Sequence, residues 1–225
     1  MTRALPLFPL PVVLFPGASQ ALHVFEPRYR QLLVDCLEDD QRFGIAYVPP
    51  VDDPAAAAVP VPGDVGCVAV IRSANRFPDG RANILTEGER RFVLLDWVAS
   101  DRSYRVAQVE EFDDEVDPVE AGQLATDVRR AFGQFARLRA SLTDPSVDVP
   151  LQLPADPTVL SFHVAATLEL DVADQLGLLN QRSTAGRLRQ LLGLLGPMVV
   201  EAERYAAAQQ RARGNGRGHP SERAT

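Results

Sequence analysis

At 225 residues with 46% apolar content, the chain is long enough to bury one sizeable core or two small ones, which sets disorder aside. A formal net charge of -7 and a pI near 5.0 argue against a surface that tracks phosphates, because nucleic-acid affinity rests on clustered basic side chains. All 23 basic residues are arginine, so Walker-type phosphate loops, Schiff-base chemistry and Ser-Lys dyads have no lysine to use.

The chain opens with Arg3, a long apolar run and then Gly17-Ala18-Ser19-Gln20-Ala21, the outline of an export signal. Pro6, Pro9, Pro11 and Pro16 interrupt that run every few residues, which suits strand edges and a Pro-Gly turn better than a continuous apolar helix. Short apolar runs bounded by Pro, Gly or Asp then predict strands at 4–8, 20–26, 43–48, 65–75, 81–87, 90–98 and 104–111. One helix interrupts them, with Pro27 at its first position and Tyr29, Leu32, Leu33, Cys36 and Leu37 on its apolar face; Arg28, Arg30 and Gln31 are expected on the other. The segment 49–62 carries five prolines and no period, so it reads as a loop. Pro78-Asp79-Gly80 reads as a hairpin turn beside Phe77, and Gly88 as a bend or bulge.

After the acidic run Glu110–Asp117 the short apolar runs give way to steps of three and four. Pro118 opens a helix with the stripe Ala121, Leu124, Val128, Phe132, Phe135, Leu138 and Leu142. A second starts at Asp156-Pro157 and runs to about Leu170, a short one covers 172–179, and a long one follows Ser183, with a kink or break expected at Gly196-Pro197. The expected class is α+β, with a β-rich unit at 1–116, a helical unit at 117–213 and a flexible tail at 214–225.

Cys36 and Cys67 form no Cys-x-x-Cys pair and read as reduced, structural thiols. His23, His163 and His219 show no metal-ligand spacing, and His163 is expected half-buried on its helix. The acidic run lacks the spacing of a calcium loop and is expected as a solvated face between the two units. Neither a metal nor a cofactor is expected. Gly17-Ala18-Ser19-Gln20-Ala21 approaches a nucleophile elbow, but the following Leu22-His23-Val24-Phe25 reads as a strand where the elbow needs a helix.

Three blocks carry a resemblance to a known family. LPLFPLPVVLFPGASQALHVFEPRYRQLL, DVGCVAVIRSANRFPDGRANILTEGERRFVLLD and LELDVADQLGLLNQRSTAGRLRQLLGLL occur in the order found in the substrate-binding N-terminal domain of Lon proteases, and span roughly residues 5–200. The resemblance implies a twisted, PUA-like β-barrel with one helix, followed by an α-helical bundle. It carries the first block unbroken into the chain, so the opening stretch is expected to be retained and the protein to be cytoplasmic. It implies a non-catalytic domain, without the ATPase and Ser-Lys modules, that binds unfolded or misfolded polypeptide or a protein partner, with no membrane role. If peptide binds, Phe25, Tyr29 and Phe77 are the apolar candidates, with Glu26 and Arg28 at the rim. Two other readings stay open: RNA binding through the PUA-like unit, helped by a 204–225 segment with five arginines against one acid, and a hydrolase built on Ser19.

Overall fold

The short apolar runs become strands in the first half of the chain. The computed structural model describes residues 2–50, 58–115, 117–143 and 152–215. Its first half contains β1 (Thr2–Leu10), β2 (Ser19–Val24), α1 (Pro27–Glu38), β3 (Arg42–Tyr47), β4 (Val65–Arg76), β5 (Ala82–Val98) and β6 (Val106–Phe112). Four helices follow: α2 (Pro118–Thr143), α3 (Pro157–Thr167), α4 (Val172–Asn180) and α5 (Thr184–Asn215). The class is α+β, a mixed sheet and five helices.

The sheet has the order β2-β5-β4-β3-β1-β6, with β1 and β3 parallel and the other pairs antiparallel. β5 also pairs with β6, so the ladder β1-β3-β4-β5-β6 returns to β1. Alternation along the strands then sorts side chains onto two sides. Leu5, Leu7, Ala46, Val68, Phe92, Leu94, Ala107 and Val109, drawn from all five strands of that ladder, form one buried cluster. Phe8, Phe43, Ile45, Cys67, Ala69 and Ile71 face the other way and pack with Tyr29, Leu32, Leu33 and Cys36 of α1. Each fully buried side chain of this size contributes about 1.5–3 kcal/mol.

The predicted strands at 81–87 and 90–98 are a single strand, β5. Gly88 does not end it. The register against β4 shifts between Cys67, opposite Arg91, and Ala69, opposite Gly88, so the extra residue is absorbed as a bulge while the strand continues. Pro78-Asp79-Gly80 is the expected turn: Gly80 takes φ +84°, and Phe77 N–H donates to Arg81 O at 2.8 Å.

In the second half the three-and-four spacing becomes a helical core. Ala121, Ala125, Val128 and Phe132 of α2 meet Leu160, Phe162 and Val164 of α3, Leu178 and Leu179 of α4, and Leu188, Leu191 and Leu195 of α5. Asp156 caps α3 by accepting from Val159 N–H at 2.9 Å, and Asp171 caps α4 by accepting from Asp174 N–H at 2.8 Å, each worth about 0.5–2 kcal/mol. Leu14 joins the sheet-side core and its neighbour Phe15 the helical one, so the Val12–Ala18 connection is packed between them.

Of the kink or break expected at Gly196-Pro197, the break does not occur: α5 continues through Pro197. A proline deprives the carbonyl four residues earlier of its hydrogen bond. Here that residue is Gly193, and neither it nor Gly196 has a neighbour crowding its Cβ position, so the turn can adjust while Leu191 and Leu195 stay buried. α5 reaches Asn215, into the segment expected as a tail; residues 216–225, His219 among them, and 51–57 of the expected loop lie outside the described residues. No helix among the described residues is long and apolar enough to cross a membrane.

Candidate functional site

β2 ends at Val24, and the next residue, Phe25, is thrown outward with 58% of its surface exposed. The β4–β5 turn brings Phe77, 37% exposed, to the same place. The His23 ring stands between them, 5.9 Å from Phe25 and 6.5 Å from Phe77, and is held by a 2.6 Å hydrogen bond between Nδ1 and Asn83 Oδ1. Glu26 and Arg28 lie beside this patch and are paired, Arg28 Nε donating to Glu26 Oε2 at 3.0 Å. Four of the five candidate residues are thus exposed or half-buried at one corner of the sheet. His23 was not among the expected contact residues, although its two-residue spacing from Phe25 along a strand puts both on one face.

Tyr29 goes elsewhere. Only 6% exposed, its ring stacks on Phe8 at 3.9 Å between centroids and belongs to the core under α1, and burial raises its phenol pKa. Its outer edge, with the Arg28 guanidinium 4.5 Å from the ring centre, borders a cleft of about 550 Å³. Trp97, Tyr104 and Arg105 line the same cleft, where β6 stops short and β1 continues past Pro6.

A third cluster joins the two cores. Asp114 is buried, its side chain 5% exposed, and accepts from Arg91 Nη2 and Arg187 Nη2, whose side chains are 2% and 0% exposed. Arg91 also donates to Leu179 O at 2.6 Å and Gln181 O at 2.7 Å, while Arg187 donates to Ser161 Oγ at 2.8 Å and Gln181 O at 2.8 Å. Thr184 Oγ1 completes the carboxylate at 2.7 Å, and the Phe162 ring lies 3.7 Å from the Arg187 guanidinium. Burial pushes the Arg91 pKa down to about 10 and lowers that of Arg187, the Asp114 charge acting against both shifts. The expectation of a solvated face over Glu110–Asp117 is therefore corrected at Asp114: two buried cations on opposite elements require an anion between them. The carboxylate and both guanidinia are consumed by this network, so it holds structure rather than offering a site.

The remaining candidates are quiet. Burial, with Asp40, Asp35 and Asp39 nearby, pushes the Cys36 thiol up to about 12, and burial raises Cys67 as well, which leaves both as inert packing groups. His163 is exposed rather than half-buried, because the apolar stripe of α3 passes through Leu160, Val164 and Leu168 and leaves position 163 outside. Ser19 opens β2 opposite Glu87, with a strand and not a helix after it. No three His, Cys, Asp or Glu side chains converge on a cation position among the described residues.

Two carboxylates tie elements together and set the acid response. Burial pushes Asp35 up, but hydrogen bonds from Tyr104 and Gln31 and the Arg102 charge leave its pKa below 3.8. The Arg42 hydrogen bond holds Glu89 below 4.5 against partial burial. Both folded values are depressed, so their stabilisation is complete above the unfolded values and is lost as pH falls through the folded ones. Thermal unfolding is expected to be nearly flat between about pH 7 and 5 and to fall steeply below about pH 4, and Asp35→Asn to flatten that fall; an unchanged slope in the variant, followed by circular dichroism, removes Asp35 from the account.

Comparison with known proteins agrees with this architecture. Residues 4–196 match the family described as the ATP-dependent protease La (LON) substrate-binding domain. The Lon N-terminal domain protein from Xanthomonas campestris, a crystal structure, is 30% identical, with a TM-score of 0.58 and coverage of 85% of this chain and 98% of that one. The N-terminal domain of a Mycobacterium avium complex Lon protease shares the fold, with a TM-score of 0.63 at 17% identity over 86% of this chain and 98% of its own. The Lon protease of Roseiflexus castenholzii is 30% identical over 197 residues, 86% of this chain and 24% of the relative. That of Azorhizobium caulinodans is 26% identical over 198 residues, 87% and 23%. The chain thus spans about a quarter of the length of these two curated relatives. With the family match running from residue 4 to residue 196, and the Xanthomonas domain aligned over 98% of its length, the chain belongs to the Lon substrate-binding domain family.

Proposed function

We propose that this protein is a non-catalytic polypeptide-binding domain that recognises exposed apolar segments of unfolded or misfolded chains, acting in the cytoplasm as a quality-control adaptor or stand-alone binder. One observation carries the reading to this chain's own residues: Phe25 and Phe77, two large apolar side chains left in solvent, converge on the His23 ring. Isolated exposed apolar residues need no explanation, whereas a clustered pair with a polar rim is the composition of a contact surface. Glu26 and Arg28 supply that rim. The closed ladder β1-β3-β4-β5-β6 supports a PUA-like barrel, and the shared core of α2, α3, α4 and α5 supports a helical bundle beyond a boundary near residue 116.

The test is binding of a chemically unfolded, labelled model protein without ATP, followed by fluorescence anisotropy. The double variant Phe25→Ala/Phe77→Ala is expected to weaken binding by at least about tenfold, since buried aromatic anchors dominate such contacts. Both side chains are exposed, so stability should change by less than about 0.5 kcal/mol. Unchanged affinity in the folded double variant would remove this face from the proposal.

A further inference from the structure

The cleft beside Trp97 carries a charge that the molecule as a whole does not. The chain has 30 acidic and 23 basic side chains, yet among the described residues this cleft is lined by Arg28, Arg102 and Arg105 and by no carboxylate. Two of those arginines are committed to acids outside the lining, Arg28 to Glu26 and Arg102 to Asp35. Arg105 has no ion pair among the described residues; its guanidinium sits 5.3 Å from the centre of the Trp97 ring. A guanidinium stacked on an indole still presents its planar fork of N–H donors, the shape that takes a carboxylate through two parallel hydrogen bonds.

Apart from Ser100 and Ser103, the remaining lining is aromatic and aliphatic, including Tyr29, Trp97 and Val98. A volume of about 550 Å³ is that of a small-ligand site, enough for a chain end of one or two residues and too small for a folded partner. One unpaired guanidinium matches one monoanion, whereas a phosphate dianion would have to draw Arg28 or Arg102 away from existing ion pairs. Arg28, at the start of α1, closely follows the exposed Phe25 in the chain, so the cleft lies near the aromatic patch.

We propose that this cleft binds the free C-terminal carboxylate of a polypeptide whose last side chain is apolar, with the carboxylate on Arg105 and the side chain against Trp97 and Tyr29. The proposal rests on the polypeptide-binding reading above and adds a chain end as the feature recognised. Arg28 and Arg102 contribute a positive field rather than direct partners, so binding weakens as salt is raised.

Trp97 is the single tryptophan of the chain, and its intrinsic fluorescence reports on the cleft directly. The probes are a short peptide ending in leucine with a free carboxylate, the same peptide amidated at its end, and a nucleoside monophosphate, each titrated into the full-length protein. The acid is expected to shift Trp97 emission saturably and to bind at least about tenfold tighter than the amide. Arg105→Gln should lose about that factor with an unchanged melting temperature, and Arg105→Lys should recover part of it. Equal binding of acid and amide overturns the proposal, as does a nucleoside monophosphate that binds tighter than the peptide acid. If an unfolded model protein binds in a Phe25- and Phe77-dependent way while no peptide acid does, the cleft proposal fails alone. If neither binds, both readings fail.

Discussion

Asp114→Ala is expected to lower folding stability by about 3–5 kcal/mol, measured as the free energy of urea unfolding, because it leaves two buried guanidinia facing each other without an anion. Arg91 lies on β5 and Arg187 on α5, and Asp114 accepts from both at a position where its side chain is 5% exposed. In water each group would keep its hydration; here the backbone oxygens of Leu179 and Gln181 and the hydroxyl of Ser161 replace only part of it. Against a typical domain stability of about 5–15 kcal/mol such a loss decides whether the chain is folded at physiological temperature. Asp114→Asn keeps an acceptor but not the charge and should fall between wild type and alanine. Replacing all three ionic residues by apolar side chains of similar volume should be far less damaging than the single change, as removal of a whole buried network avoids the unpaired charges. An Asp114→Ala loss below about 1 kcal/mol would show that water reaches and solvates the arginines, contrary to their burial.

Gly88→Ala should cost about 3 kcal/mol, at the upper end of overpacking effects. A Cβ at this position would stand 2.2 Å from Phe15 O, a backbone atom with no rotamer to escape into. The contact is fixed from both sides, since Gly17 N–H donates to Gly88 O at 2.8 Å and Gly88 N–H donates to Ala18 O at 2.9 Å. Moving β5 away would break those bonds and displace Phe15 from the helical core. Gly122→Ala on α2 is the control: nothing lies within 4 Å of its Cβ position, and the change should be neutral or stabilising by up to about 1 kcal/mol. Equal melting temperatures for the Gly88→Ala variant and wild type would mean that the Phe15–Ala18 connection yields freely.

The elements of this fold were legible wherever one side of a segment is buried. Tyr29, Leu32, Leu33 and Cys36 recur at helical spacing and are the buried face of α1; the Asp156-Pro157 and Asp171 caps start α3 and α4 where expected. Legibility failed where partners come from far along the chain. Gly88 reads locally as a bend or bulge between two strands, and the bulge forms, yet β5 continues as one strand because β4 pairs along both its halves while β2 takes the first and β6 the second. Pro197 reads as a kink or break, yet Leu195 before it and Met198 after it pack in one core.

The same division applies to the site. Phe25, at the end of the expected strand 20–26, and Phe77, beside the Pro-Asp-Gly turn, were nameable as apolar contact candidates, and both are exposed. Their meeting at His23 was not, because it depends on the β2–β5 and β4–β5 pairings. Tyr29 carried both signals, a place on the apolar stripe and nearness to Arg28, and burial won because Phe8 offered a ring to stack on.

Composition and periodicity by themselves determined the α+β class, the order of most strands and helices and the absence of lysine chemistry, while the three spaced blocks carried the family resemblance. These depend on near neighbours in the chain, and short-range spacing encodes them. Only the tertiary structure decided that Asp114 is a buried counter-ion rather than part of a solvated acidic face, and that Arg105 stands over Trp97 without an ion pair among the described residues. A charge is written identically in the sequence whether water, a carboxylate or a ring surrounds it; its surroundings, and so its energy, are set by residues distant in the chain.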